Sequence, residues 1–147
     1  VISEAGCPAI ADPGADVVAI AQQKGLKVKP LVGPSSILMG LMGSGFNGQS
    51  FAFLGYLPID GGERARKLKE MERRIVKEDQ TQIFIETPYR NNTLINELIC
   101  TLPPHLKLCV ASDITGPNES IVTHSIAQWR QSSHTYAKVP TIFLLYK

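Results

Sequence analysis

The sequence predicts an α/β protein, and three observations carry that expectation. Short apolar strand patterns alternate with helical ones, strand ends run into Gly- or Pro-containing turns, and the composition is that of a globular chain. The 147 residues are 44% hydrophobic and 19% charged, enough for a core without a metal or disulfide staple and too apolar for a disordered chain. Lys plus Arg is 15 and Asp plus Glu is 13, a formal charge of +2. That balance excludes a histone-like nucleic-acid coat and leaves room for a local basic patch. The 12 glycines and 10 prolines follow no period, so the chain is loop-rich rather than fibrous.

Val1 to Ser3 reads as a strand, followed by turns at Gly6-Cys7-Pro8 and Asp12-Pro13-Gly14. A helix over Ala15 to Lys24 is closed by Gly25, and Leu26 to Val32 has the pattern of a short strand. Gly33-Pro34-Ser35-Ser36 breaks it and offers a serine cap to an apolar helix over Ile37 to Met42. This strand–helix–strand–helix opening is the signature of a mostly parallel sheet. Gly43 to Gly48 reads as a joint. It separates the closing part of a first α/β domain, residues 1–45, from a second α/β domain, residues 46–147.

Beyond the joint, Ser50 to Tyr56 is a strand that stops at Leu57-Pro58, and Asp60-Gly61-Gly62 is a turn. Glu63 to Lys77 is a charged amphipathic helix with Leu68, Met71 and Ile75 inward. Gln82 to Glu86 is an apolar strand, Tyr89 to Thr101 a helix cut off by Pro103-Pro104, and Leu106 to Ala111 a strand. Ile121 to His124 is a strand, Ile126 to Gln131 a short helix and Thr141 to Tyr146 a final strand. No apolar run reaches bilayer length. The opening Val1-Ile2-Ser3-Glu4 has neither a starting Met nor a basic leader, so a missing N-terminal part is expected. Cys7, Cys100 and Cys109 are odd in number and widely spaced, which reads as reduced thiols of a cytoplasmic protein.

Four strand ends run into tight turns, at Glu4 to Pro8, Gly33 to Ser36, Glu86 to Arg90 and Ser112 to Gly116. Open α/β sheets bind ligands beyond the carboxyl ends of their strands, so a small-molecule cleft is expected there. No Walker loop and no Gly-x-Gly-x-x-Gly is present, and His105, His124 and His134 lack metal spacing. Trp129 reads as a core anchor.

Those turns carry a resemblance. Ser3-Glu4-Ala5-Gly6-Cys7-Pro8-Ala9-Ile10-Ala11-Asp12-Pro13-Gly14 resembles the Ser-Asp-Ala-Gly-Thr-Pro-x-Ile-Ser-Asp-Pro-Gly motif of the small-subunit ribosomal RNA cytidine 2'-O-methyltransferase family. That family lies within the tetrapyrrole (corrin/porphyrin) methylase superfamily. Gly33-Pro34-Ser35-Ser36 is similar to its Pro-Gly-Pro-Ser loop, and Phe53 to Pro58 to its Phe-x-Gly-Phe-Leu-Pro segment. Phe84-Ile85-Glu86-Thr87-Pro88-Tyr89-Arg90 is similar to Phe-Tyr-Glu-Ser-Pro-His-Arg.

The resemblance implies a two-domain tetrapyrrole-methylase-like fold, S-adenosylmethionine folded into the cleft between the domains, and a homodimer. This chain would hold the end of the first domain and a complete C-terminal mixed-sheet domain. Ala5, Gly6, Cys7 and Pro8 would line the methionine side of the cofactor, with Ser35 and Ser36 nearby. Ile85 and Glu86 would meet it from the second domain, and Pro140 with Thr141 would flank the adenine.

The implied substrate is a cytidine 2'-hydroxyl of small-subunit ribosomal RNA. Tyr89, Arg90, Thr115 and Glu119 are candidates for binding it. A tetrapyrrole acceptor, or a non-catalytic binding or dimerisation module of the same fold, are the alternatives. Where the family has Ala-x-Glu-Leu-Thr-Lys-x-x-Glu, this chain reads Ala111 to Glu119 without basic residues at Ser112 and Gly116. A ribose hydroxyl must lose its proton as it is methylated, and Glu86 and Asp113 are the candidate catalytic carboxylates, turn caps being the other reading. The helix Glu63 to Lys77 is either a solvated amphipathic face or an edge that guides RNA.

Overall fold

The structure, a computed structural model, describes residues 6–147. The expected strand at Val1 to Ser3, and the site residue Ala5, lie outside the described residues. The chain divides into two compact units, Val1–Ser36 and Ile37–Lys147. The division falls at the first residue of α2 (Ser36–Ser44), ahead of the glycine-rich stretch read as a joint.

In the first unit, α1 (Ala15–Gln23) ends as its sequence predicts. Gly25 takes the left-handed conformation (φ 64°), its N–H donates to Gln22 O, and Leu26 N–H donates to Ala21 O, the paired bonds of a Schellman stop. The expected strand over Leu26 to Val32 is absent. A strand exists only by pairing, and among the described residues of this unit no extended segment lies beside it. Leu31 and Val32 are left 82% and 106% exposed. The mostly parallel sheet expected of the opening is therefore not formed by the described residues.

The second unit is a five-stranded mixed sheet covered on both faces. Its strands are β1 (Phe51–Tyr56), β2 (Thr81–Ile85), β3 (Lys107–Ser112), β4 (Ser120–Ser125) and β5 (Thr141–Tyr146), in the order β1-β2-β5-β3-β4. Only β1 and β2 are parallel, joined by α3 (Gly61–Glu78); every other pair is antiparallel. Strand alternation sorts the side chains. Phe84, Leu108, Val110, Phe143 and Leu145 face one core, while Ile83, Cys109, Ala111, Ile142 and Leu144 face the other.

The first core is roofed by α3, α4 (Asn91–Thr101) and α5 (Ile126–Trp129). Asp60 caps α3 by accepting Glu63 N–H at 2.9 Å, and Leu68, Met71 and Ile75 point inward as their spacing predicts. A 3-10 turn at Pro88–Arg90 precedes α4, so that helix begins later than Tyr89. Arg90 N–H bonds Thr87 O, a tighter i→i+3 closure. A capping box of Ser125 and Gln128 starts α5. Trp129 is buried, and its indole N–H donates to Leu108 O at 2.8 Å.

The second face is covered by α2, which approaches closely because it carries glycines. A Cβ at Gly40 would stand 3.0 Å from Ile142 Cγ2, and one at Gly43 only 2.7 Å from Ile121 Cδ1. Thr123 Oγ1 donates to Ser44 O at 2.9 Å and ties the helix end to β4. At the far edge, the β1–β2 register shifts between Phe53 and Tyr56, where Gly55 takes φ 68°. Among the described residues no helix is long and apolar enough to cross a membrane. Cys7, Cys100 and Cys109 are free thiols.

The glycine contact makes a prediction with a change of sign. Gly43→Ala gains helix propensity worth about 1 kcal/mol but collides with Ile121, so the substitution should destabilise the protein. In an Ile121→Ala background the same change should stabilise it by up to about 1 kcal/mol. Urea unfolding of the four variants measures both; Gly43→Ala effects of the same sign in the two backgrounds would refute the packing account.

Candidate functional site

Within the first unit, two of the predicted turns meet. The Cys7 thiol lies 3.4 Å from Pro34 O and 3.9 Å from Gly33 O, so it bridges the turn at Gly6-Cys7-Pro8 to the one at Gly33-Pro34-Ser35-Ser36. Ile10 N–H donates to Cys7 O at 3.2 Å and Ala9 N–H to Pro13 O at 3.3 Å, which folds residues 7–13 into successive turns. Gly6 adopts φ 75°, and added Cβ atoms at Gly6 and Gly33 would meet nothing within 4 Å. The carbonyl oxygens of Gly33 and Pro34 thus gather beside a half-buried thiol and open space. Ser35 is half-buried and Ser36 exposed.

Within the second unit, the register brings the remaining candidates to one end of the sheet. Tyr56 pairs with Ile85, Ile85 with Ile142, and Ser112 with Thr141. The carboxyl ends of β1, β2 and β3 therefore lie in a row with the start of β5. Ile85, Glu86, Ser112, Asp113, Pro140 and Thr141 sit along this edge, and Asp113 N–H donates to Pro140 O at 3.0 Å.

Their side chains do not share a face. Ile85 packs into the core under α2, whereas the Thr141 hydroxyl is held on the α4 side by Asn91. What these residues have in common is backbone at the sheet edge.

Asn91 is the post of this edge. It is fully buried at the start of α4, and its Nδ2 donates to Tyr136 O (2.9 Å), Val139 O (2.8 Å) and Thr141 Oγ1 (3.1 Å). Tyr136 N–H returns a bond to Asn92 Oδ1 at 2.8 Å, and Lys138 N–H bonds Pro88 O at 2.9 Å. The segment leading into Pro140 is thereby fastened to the turn following Glu86.

The two candidate carboxylates differ. Glu86 Oε1 accepts Thr87 N–H at 2.7 Å, and Oε2 faces Arg90 Nε at 3.6 Å, with the side chain 9% exposed. Behind it, Arg64 donates to Glu97 at 2.7 Å and to Pro58 O at 2.8 Å. The hydrogen bond to Glu97, with the charges of Glu97, Glu86 and Asp60, outweighs burial and raises the guanidinium above its usual value.

Asp113 instead serves its own loop. It takes φ 50°, and its Oδ2 accepts Asn118 N–H at 2.8 Å. Thr115, at φ 68°, gives its N–H to Glu119 Oε2 at 2.6 Å. Any Cβ at Gly116 would collide with the Asp113 carboxylate, so the missing basic side chain at 116 and this folded-over acid go together. Tyr89 is 79% exposed, beside half-buried Arg90.

The sequence reading missed a cavity of about 470 Å³ beside the β3–β4 hairpin, lined among others by Ser112, Ser120, His124, Trp129, His134 and Tyr136. Burial pushes the Tyr136 phenol above its usual value. The lining residues are scattered over 112–139 with no common spacing, so no motif marks the cavity.

No family model matches the chain. A protein named ribosomal RNA small subunit methyltransferase I from Vibrio cholerae serotype O1 is 35% identical over 127 residues, 86% of this chain and 43% of that protein. Its namesake from Pasteurella multocida is 34% identical over 130 residues, 88% of this chain and 45% of that protein.

Among solved structures, the methyltransferase CobJ superposes with a TM-score of 0.60 at 16% identity, covering 97% of this chain and 62% of that one. A uroporphyrin-III C-methyltransferase from Thermus thermophilus, complexed with S-adenyl homocysteine, superposes at 0.52 with 17% identity, covering 97% and 63%. The class defined here is an α/β chain with the fold of tetrapyrrole methylases. In sequence, the chain is similar to proteins named ribosomal RNA small subunit methyltransferase I. It spans less than half the length of the curated relatives it matches.

The Asn91 post is testable. Asn91→Asp keeps the shape, removes the donor and sets a carboxylate against two carbonyl oxygens. It should cost about 2–4 kcal/mol in urea unfolding and speed amide exchange at Tyr136 and Lys138. A loss under about 0.5 kcal/mol would show that the segment holds without it.

Proposed function

We propose that this chain is part of an S-adenosylmethionine-dependent methyltransferase that modifies a cytidine 2'-hydroxyl of small-subunit ribosomal RNA. The observation that carries the reading is the 35% identity, over 86% of the chain, to a protein named for that ribosomal RNA. The action is assigned to the cytoplasm, as the odd and widely spaced cysteines suggest, and to a homodimer, as the resemblance implies.

The residues present fit such a methyl donor. Its sulfonium and ammonium suit oxygen acceptors, and its carboxylate suits N–H donors. In the first unit, the turns at Gly6 to Pro8 and Gly33 to Ser36 offer carbonyl oxygens and open space; in the second, taken by itself, the edge at Ile85, Glu86, Pro140 and Thr141 offers backbone groups that suit a planar base. The donor supplies an activated methyl group, and the protein's work is alignment of the acceptor with it.

Glu86 is the assigned base. Its carboxylate stands at a strand end, fixed by Thr87 N–H, and would take the ribose proton as the new bond forms. Tyr89, exposed beside Arg90, would stack on a base, and the partly exposed Arg90 guanidinium, loosely paired with Glu86 at 3.6 Å, would meet a phosphate on leaving that pair. Thr115 and Glu119, bonded to each other, shape the loop after β3 as its rim.

The experiment uses the intact protein with methyl-labelled S-adenosylmethionine and two acceptors, small ribosomal subunits and uroporphyrinogen. Label in the ribosomal RNA and none in the macrocycle is expected, together with a calorimetric cofactor signal. Label only in the macrocycle would move the assignment to tetrapyrroles, and no cofactor heat would leave a binding module. Glu86→Gln should lower kcat by about 10²–10⁴-fold, while Asp113→Asn should act mainly through stability. Full turnover in both variants removes carboxylate base catalysis.

A further inference from the structure

Seven basic residues lie on α3, and the structure separates them into two groups. On one flank the charges are already satisfied. Glu70 pairs with Lys67 at 3.0 Å and with Arg74 at 2.7 Å, which holds its carboxyl below the usual range. Arg64 is spent on Glu97 and on the carbonyls of Pro58 and Ile59.

The other group is Arg66, Lys69, Arg73 and Lys77, all exposed. At 100° per residue they fall on one line, opposite buried Leu68, Met71 and Ile75. Lys69, Arg73 and Lys77 make no ion pair among the described residues. Arg66 has only a loose one to Glu63 at 3.8 Å, with both side chains well exposed. Eleven helical steps lead from the first to the last, so four cations stand over about 16 Å at a spacing of about 5–6 Å.

We infer that this line is a rail for the ribose-phosphate backbone of RNA, an inference that rests on the ribosomal RNA reading above. The chemistry of the partner follows from the row itself. A linear series of free cations on a rigid helix suits a polymer with one negative charge per repeat, and each phosphate neutralised releases a counterion. A globular acidic protein would place fewer charges along so straight a path.

The direction of the rail supports the same partner. Because β1 and β2 are parallel and α3 connects them, the helix starts at the carboxyl end of the strands, where Glu86 and Asp113 lie. The rail therefore leads from Lys77 toward the candidate site, and the exposed rings of Tyr56 and Tyr89 belong to that end of the sheet.

The test measures anisotropy of a fluorescein-labelled fragment of small-subunit ribosomal RNA on the intact protein between 50 and 200 mM KCl. The variant Arg66→Gln/Lys69→Gln/Arg73→Gln/Lys77→Gln should bind at least tenfold more weakly at 50 mM. Its slope of log affinity against log salt should be shallower by about 2 to 3. Calorimetric affinity for S-adenosylmethionine should stay within twofold, and Arg73→Gln alone should change the slope by about 0.7–0.9. A matched variant, Lys24→Gln/Lys27→Gln/Lys29→Gln, should leave the slope within about one unit.

An unchanged slope in the fourfold variant, or equal changes in both multiple variants, overturns the rail and leaves the methyltransferase reading standing. Unsubstituted protein that binds no RNA overturns both. A fourfold variant that does not fold shifts the decision to Arg73→Gln, where an unchanged slope again overturns the rail.

Discussion

The second unit depends on β5 being buried on both faces at the centre of its sheet. Thr141 to Tyr146 has β2 on one side and β3 on the other, both antiparallel. Phe143 and Leu145 enter the core beneath the three helices, and Ile142 and Leu144 enter the core beneath α2. Each such side chain, fully withdrawn from water, contributes about 1.5–3 kcal/mol. A slip of one residue would exchange the two sets and spoil both cores at once, so the register is strongly specified. That register aligns Ile85, Ser112 and Thr141, and with them the loops in which the chemistry is sought.

Precision at the edge comes from polar groups, precision in the cores from shape. Asn91 uses one buried amide to fasten three acceptors, and Asp113 and Glu119 close the loop after β3 through backbone N–H groups. These bonds keep backbone carbonyls and amides fixed where a ligand would meet them, which reduces the ordering that binding must impose. Glycine has a different task in α2. Gly40 and Gly43 let a helix lie against β-branched side chains at a distance no larger residue would permit.

Much of this was legible because it is local. The stripe of Leu68, Met71 and Ile75 reads directly from helical spacing, and the strand over Thr141 to Tyr146 from its apolar run. Gly25 announced the end of α1 through its conformational freedom, whereas Asp60-Gly61-Gly62, which reads as a turn, turned out to be the cap and first residues of α3. Leu26 to Val32 failed for the opposite reason: its pattern was right for a strand, but pairing depends on a neighbour that no local pattern supplies. At the site, the motif turns were visible as turns, while the sorting of Ile85 and Thr141 to opposite faces became visible only with the register. Asp113 shows the limit most plainly. Its letter suggests an acid free for chemistry, yet a positive φ and the space over Gly116 direct the carboxylate into its own loop.

The kink at Gly55 has a consequence for the outer border of the sheet. Among the described residues β1 has β2 on one side only, so its other side is the kind of unpaired ladder on which a foreign strand could grow. On the β2 side the register slips between Phe53 and Tyr56, after three residues in step, Phe51, Ala52 and Phe53, so the strand is not regular along its length. A second chain laid alongside would lose its hydrogen-bond rhythm at the same place. The backbone turn at Gly55 thus works against the regular addition of a further strand along this border.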